Sequence, residues 1–130
     1  MEGVVYGTKV IIDRMEQEQF TIDEIIACGG ATQSDLWMQI HADVTGKPIT
    51  ITEEQQAVTL GSAIAAAVAG GLYKNLHEAA KAMVRTAKRV EPVAERTDAY
   101  REYVRQYSAT YEALKEESSS LVDYADTIKP

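Results

Sequence analysis

Residues 25–49, IIACGGATQSDLWMQIHADVTGKPI, carry the pattern that decides the fold. A short apolar run, Glu24–Cys28, stops at Gly29 and Gly30, and an apolar pattern with a different spacing follows the two glycines. The first run is too short for a helix, so it predicts a buried β-strand. The second recurs at every third or fourth position, which predicts an amphipathic helix.

The boundaries of this helix are marked by residues with known end preferences. Ser34 is a candidate N-cap, because its hydroxyl can accept a hydrogen bond from the first turn. Asp35 suits the positive end of the helix dipole, and Gly46 suits the C-terminal stop. Residues 47–52, KPITIT, then predict a second strand with Pro48 at its entrance. Strand, turn, helix and strand form a βαβ unit, in which the two strands are expected to be parallel.

The rest of the chain is predicted to be helical, because its apolar residues keep helical spacing. One of these helices has small residues on both sides, so Gly61 and Ala63–Ala67 are expected to line a close helix contact in the core. The face of the last helix carries tyrosines, which are interpreted as a packing surface. The four predicted helices cover residues 2–18, 57–68, 75–87 and about 97–116.

Composition limits the classes of function. The 130 residues suffice for about one domain, and the net charge of −7 shows no basic stripe. Nucleic acid and membrane are therefore not expected as partners. Cys28 is the single cysteine, which excludes an internal disulfide and fits a cytoplasmic location. It lies in the predicted strand and is expected to be buried and inert.

Common catalytic and binding motifs are missing. The chain has no phosphate-binding loop of the G-x-x-x-x-G-K-[ST] type, and CGGATQSD lacks the third glycine of a dinucleotide-binding turn. The sequence HEAAK places Lys81 where a zinc protease motif needs its second histidine. His41 is interpreted as a surface or packing residue. No metal site is expected.

The glycine pair leaves two interpretations open. Gly29 and Gly30 can simply form a tight turn, because glycine readily adopts positive φ. The same geometry can also serve binding. Glycines at the carboxyl end of a parallel strand let a ligand approach the backbone, and the following helix offers a positive end to an anion such as phosphate.

Two stretches together resemble a known family. They are residues 29–49, GGATQSDLWMQIHADVTGKPI, and residues 53–73, EEQQAVTLGSAIAAAVAGGLY. Both are similar to the C-terminal domain of the FGGY carbohydrate kinases, a group that includes xylulose, ribulose, glycerol and gluconate kinases. The resemblance covers roughly residues 2–115. The matching positions are Gly29, Gly30, Ala31, Ser34, Asp43, Val44, Gly46, Pro48, Glu54, Ala57, Leu60, Gly61, Ser62 and Ala63.

The resemblance implies an α/β fold: part of a ribonuclease H-like (actin/hexokinase-like ATPase) domain, mostly helical with one βαβ unit. Residues 1–116 would be the C-terminal portion of the nucleotide-binding domain, and residues 117–130 a flexible tail. Gly29, Gly30, Ala31 and Ser34 would bind the nucleotide. By position, Gly30 and Ala31 would lie against it, and Ser34 would stand near the adenine.

The resemblance also implies what lies elsewhere. The family's catalytic aspartate and its sugar-binding domain are expected upstream, so no catalytic residue is assigned here. The full-length protein would transfer phosphate from ATP, with Mg²⁺, to a sugar or polyol. This chain alone would be inactive, and its uncovered strands and helix faces would make it self-associate. The alternative is an autonomous, acidic, helical α/β interaction module whose Gly-Gly turn is purely structural.

Overall fold

The computed structural model describes residues 2–127, with side chains through residue 124. Its elements combine five α-helices with one three-stranded sheet and a single turn of 3₁₀ helix. In chain order they are α1 (Glu2–Gln17), β1 (Ile25–Ala27), the 3₁₀ turn (Gly30–Gln33), α2 (Asp35–Thr45), β2 (Ile49–Thr52), α3 (Ala57–Ala69), α4 (Leu76–Met83), β3 (Thr86–Val90) and α5 (Ala94–Thr127).

The first two strands confirm the βαβ unit. β1 and β2 pair in parallel, with Ile25 opposite Ile49 and Ala27 opposite Ile51. The backbone N–H of Ile25 also donates to the carbonyl of Pro48 at 2.9 Å, at the point where the second strand begins. Parallel neighbours need a long connection, and α2 supplies it.

The third strand was not predicted. Residues 75–87 were expected to form one helix, but α4 ends at Met83 and β3 follows it, antiparallel to β2. The spacing of Met83, Val84 and Ala87 fits a helical stripe, which concealed the strand. The edge of β2 that faces away from β1 has backbone groups that need hydrogen-bond partners, and residues 86–90 supply them. These hydrogen bonds outweigh the local preference for a helix.

The main core lies between α2 and one face of the sheet. It consists of Met38, Ala42, Ile49, Ile51 and Val90. α1 and α5 pack against α2 as well, so that α2 is enclosed by the sheet and two helices. The glycine turn is thereby held at one end of a firmly packed helix.

Aromatic packing joins α1 to α5. The ring of Tyr6 lies 6.0–6.5 Å, between centroids, from those of Tyr100, Tyr103 and Tyr107. The Tyr100 hydroxyl donates to a carboxylate oxygen of Glu2 at 2.7 Å. The predicted packing surface is therefore confirmed for the first part of the tyrosine face, while Tyr111 farther along the same helix is exposed.

The expected core role of α3 is wrong. Gly61 and Ala63 are exposed, Ala67 is half-buried, and Ile64 is the one buried residue of this helix. α3 makes its main contacts with α4. Small residues at helical spacing show that a helix can approach a neighbour closely, but they do not say which neighbour covers it.

The last helix is longer than predicted at both ends. Val93 precedes it, and the Val93 carbonyl accepts from the backbone N–H groups of Arg96 and Thr97. The helix continues through Thr127, so the expected end at Glu116 is wrong. Residues 128–130 of the predicted tail lie outside the described residues, and its flexibility stays a prediction. Within residues 2–127, no helix combines the length and apolarity needed to cross a membrane.

Candidate functional site

Gly29 follows the carboxyl end of β1 and turns the chain. Its φ of 90° and ψ of 179° lie in a region that side chains rarely adopt. The Gly29 carbonyl then accepts from both the N–H and the hydroxyl of Thr32, at 3.1 and 2.7 Å. The turn itself therefore requires a glycine at this position.

Gly30 differs from its neighbour. It begins the 3₁₀ turn, and its φ is not in the positive region. A Cβ atom built on Gly30 would meet no atom of the described chain within 4 Å. Neither the backbone conformation nor packing explains a glycine here. The two interpretations of the pair thus separate: Gly29 has a structural reason to be glycine and Gly30 has none within the described residues.

The chain passes from Gly29 to α2 through a 3₁₀ turn, Gly30–Gln33, which the sequence analysis did not predict. The Ser34 N–H donates to the Ala31 carbonyl at 3.3 Å, which closes this turn. The Ser34 hydroxyl accepts from the Trp37 N–H at 3.2 Å, so Ser34 is the N-cap of α2 as predicted. Ala31 and Ser34 are both exposed beside Gly30. The structure therefore brings the four predicted site residues together on one surface.

Two residues that the sequence analysis missed flank this surface. The Lys88 ammonium on β3 lies 2.7 Å from a carboxylate oxygen of Asp35 in the first turn of α2. The Gln55 side chain accepts from that of Gln33 at 2.9 Å, which joins the β2–α3 connection to the 3₁₀ turn. Lys88 was missed because the predicted helix ended at residue 87 and no strand was predicted after it. A signal for that strand was the short stretch of residues 86–90 before Pro92.

Cys28 is exposed, so its predicted burial is wrong. It lies between the end of β1 and Gly29, and β1 is an edge strand of only three residues. An apolar run at the edge of a sheet need not be buried on both faces. The thiol therefore lies beside the glycine turn, open to solvent.

Acid–base and metal-binding groups do not gather at the turn. No group of three or more His, Cys, Asp or Glu side chains is placed to hold a metal ion among the residues that the structure describes. The nearest acid in sequence, Asp35, is paired with Lys88. His41 lies farther along α2, with Nδ1 2.9 Å from the Trp37 carbonyl and its ring edge-on to Trp37. The interpretation of His41 as a surface or packing residue is confirmed.

The chain is similar in sequence to known proteins. The chain is 34% identical to a ribulokinase of Mycolicibacterium smegmatis over 117 residues, which are 89% of this chain and 20% of that protein. It is 34% identical over 92 residues to a human FGGY carbohydrate kinase domain-containing protein, covering 71% of this chain and 17% of the human one. The chain thus spans about a fifth of the length of these relatives.

Solved structures that superpose on the chain are also sugar kinases. A ligand-bound xylulose kinase of Lactobacillus acidophilus superposes with a TM-score of 0.80 at 25% identity, over 88% of this chain and 23% of the kinase. A gluconate kinase of the same organism gives 0.79 at 26% identity, over 87% and 23%. The expected α/β class, a partial actin/hexokinase-like fold, is confirmed. Residues 1–70 match the FGGY family of carbohydrate kinases, C-terminal domain. The chain therefore belongs to the FGGY family of carbohydrate kinases, as a part of its C-terminal region.

Proposed function

We propose that this chain forms one wall of the nucleotide site of an ATP-dependent kinase that phosphorylates a hydroxyl of a sugar or polyol. The observation that carries the proposal is the open space at Gly30. A glycine that neither the turn nor the packing requires is explained by a ligand that approaches the backbone closely. The phosphates of ATP suit this place, because α2 directs its positive end toward the turn.

The four site residues have three roles in this proposal. Gly29 sets the turn, while Gly30 and Ala31, both exposed, would lie against the nucleotide. Ser34 caps α2 through its hydroxyl oxygen and can still donate its own proton, because a hydroxyl group both donates and accepts. Cap and ligand are therefore compatible roles for this single side chain.

The chain does not supply the remaining chemistry. Phosphoryl transfer needs a base at the acceptor hydroxyl, charge stabilisation and both substrates held in line. The described residues provide no cluster of metal ligands, so Mg²⁺ would arrive bound to the phosphates of ATP. When bound, it would neutralise phosphate charge. We propose that the catalytic base and the sugar site belong to other parts of a longer, cytoplasmic protein and that this chain alone is inactive.

We also propose that the isolated chain self-associates. β1 and β3 are the two edges of the sheet, and unpaired edges seek partners. Ile26 on β1 is 65% exposed, which adds apolar surface at one of these edges, and Val58 at the start of α3 and Leu72 beyond its end are 86% and 76% exposed. Sedimentation across a range of concentrations is expected to show dimers or larger species. A strict monomer at high concentration would contradict this part of the proposal.

The substitution Gly30→Asp in the complete gene product tests the nucleotide site. The new carboxylate would stand close to phosphate, where like charges about 4 Å apart repel by about 4 kcal/mol at an effective dielectric constant of 20. We expect a severe loss of ATP affinity by calorimetry, with the fold retained. Gly3→Asp is the matched control, because a Cβ at Gly3 also meets nothing within 4 Å. An affinity within about threefold of the wild type in Gly30→Asp would contradict the proposed site.

The transfer reaction is tested separately by coupled ADP release with xylulose, ribulose, glycerol and gluconate. We expect sugar-dependent turnover from the complete gene product and none from the 130-residue chain. Turnover by the chain alone would overturn the assignment of the base and the acceptor site to other parts of the protein. Inactivity of the complete product on all four would count against the kinase function.

A further inference from the structure

The first charged residue after the glycine turn is an acid. The stretch from Gly29 to Ser34 carries no charged side chain, and Asp35 follows it at the start of α2. A carboxylate in the first turn of a helix suits the positive end of the helix dipole. The same charge would repel an anionic ligand on the glycine turn, because like charges oppose each other over several ångströms. Asp35 alone would therefore stabilise α2 and weaken the binding of phosphate.

Lys88 on β3 neutralises this carboxylate. Its ammonium lies 2.7 Å from Oδ1 of Asp35. Lys88 stands opposite Ile51 of β2, and Val90, two residues farther along β3, belongs to the core beneath α2. Because residues two apart in a strand point to the same face, the Lys88 side chain is directed toward α2. The sheet thus brings a cation to the first turn of α2 from 53 residues away in the chain.

This ion pair matters more for local charge than for stability. The side chains of Lys88 and Asp35 are 49% and 80% exposed, and exposed ion pairs contribute little to folding. With the lysine in place, the pair has no net charge. Without it, one negative charge stands beside the turn in a chain that already carries −7. The lysine therefore changes the charge next to the glycine turn by one unit, with little effect on the fold.

We propose that Lys88 allows the glycine turn to accept the phosphates of ATP by neutralising Asp35. This inference rests on the proposed nucleotide site. Lys88 is a positioning residue, because it acts through Asp35 and leaves the backbone at Gly30 open to the ligand. Since both charged groups are exposed, dissolved salt screens the effect, which is largest at low ionic strength.

The substitution Lys88→Gln in the complete gene product tests this role. Calorimetry at low ionic strength should show an ATP affinity about threefold or more below that of the wild type, because the freed carboxylate opposes the phosphates. Adding Asp35→Asn to Lys88→Gln should bring the affinity back to within about 1.5-fold of the wild type. Asp35→Asn alone should not weaken binding, and Lys88→Arg should retain it. At about 1 M salt, where the Debye length is about 3 Å, the loss in Lys88→Gln should disappear.

Arg89→Gln is the matched control. Arg89 is the next residue on β3, its side chain is 52% exposed, and it pairs with Glu24, ahead of β1, and with Glu91. The substitution removes the same charge from the same strand at a different place, so the ATP affinity should stay within about 1.5-fold of the wild type. Both variants should give the circular dichroism of the wild type, because both side chains are about half exposed.

Four results would overturn the role of Lys88. They are a loss of less than about threefold in Lys88→Gln, an equal loss in Arg89→Gln, a loss that Asp35→Asn does not restore, and a loss that persists at about 1 M salt. The nucleotide site is judged separately, by Gly30→Asp. If Gly30→Asp weakens ATP binding and Lys88→Gln does not, the site stands and only the role of Lys88 is wrong.

Discussion

α2 and α3 have similar apolar patterns and different surroundings. α2 buries five residues, including Met38, Ala42 and Val44. α3 buries only Ile64, and its Val58 is 86% exposed. Periodicity thus identifies the apolar face of a helix, but the element that covers the face is a matter of tertiary structure.

The difference follows from the connection that each helix makes. α2 joins two parallel strands, so it must cross the sheet, and α1 and α5 cover its other sides. α3 leaves β2 and packs mainly on α4. The candidate site is built on the well-packed helix. A rigid support of this kind is what a binding turn needs to hold its geometry.

The largest expected effect on stability is in α2, the buried helix. Met38→Ala removes a core side chain that is 4% exposed, and we expect a loss of about 2–5 kcal/mol in the free energy of unfolding. Val58→Ala in α3 is the control, with an expected change within about 0.5 kcal/mol. Urea denaturation of both variants measures the contrast. Equal losses would show that α3 is packed as firmly as α2.

Overpacking should give a smaller contrast. Ala42→Leu inserts atoms at a position with no exposure and is expected to cost about 1–3 kcal/mol. Ala63→Leu adds the same atoms to the exposed face of α3 and should leave the melting temperature nearly unchanged. A clear decrease in Ala63→Leu would mean that a further contact covers this face in solution.

A pH-dependent effect is expected where α1 covers α5. The hydrogen bond from Tyr100 to Glu2, together with burial, raises the pKa of Tyr100 to about 12 from an ordinary value of 10. Between these values the folded state keeps a proton that the unfolded state releases. The stabilisation is therefore complete below pH 10 and is lost as the pH rises toward 12.

Tyr100→Phe has no hydroxyl to titrate, so it should not lose this stabilisation at high pH. Its free energy of unfolding should therefore fall less steeply from pH 10 to 12 than that of the wild type. Tyr111→Phe, on the exposed part of α5, serves as the matched control and should retain the wild-type slope. Denaturant midpoints measured across this pH range provide the test. Identical slopes in Tyr100→Phe and the wild type would contradict the role of Glu2.

The sequence was most informative where local rules and tertiary contacts agree. The Ser34 cap, the Gly46 stop and the parallel pairing of β1 with β2 were all predictable, because end preferences and the βαβ connection act locally. β3 was not predictable from periodicity, since its pairing with β2 overrides a helical stripe. The exposure of Cys28 depends on β1 being an edge strand, which no local pattern reveals.

The candidate site was also predictable only in part. The sequence placed Gly29, Gly30, Ala31 and Ser34 in one turn, but it could not separate a structural glycine from one with another purpose. That distinction required φ at Gly29 and the open space at Gly30. Lys88 and Gln55 reach the turn from distant parts of the chain, through contacts that depend on the sheet.

The central claim, that the glycine turn is a nucleotide site, is tested most directly by the reactivity of Cys28. This single, exposed thiol lies next to Gly29, so a bound nucleotide should shield it from an alkylating reagent. One wall of a site is expected to bind ATP at about millimolar levels. At about 10 mM ATP, alkylation of the wild-type chain should slow at least threefold, and Gly30→Asp should abolish this protection. An unchanged rate in the wild type, or equal protection in Gly30→Asp, would contradict the account.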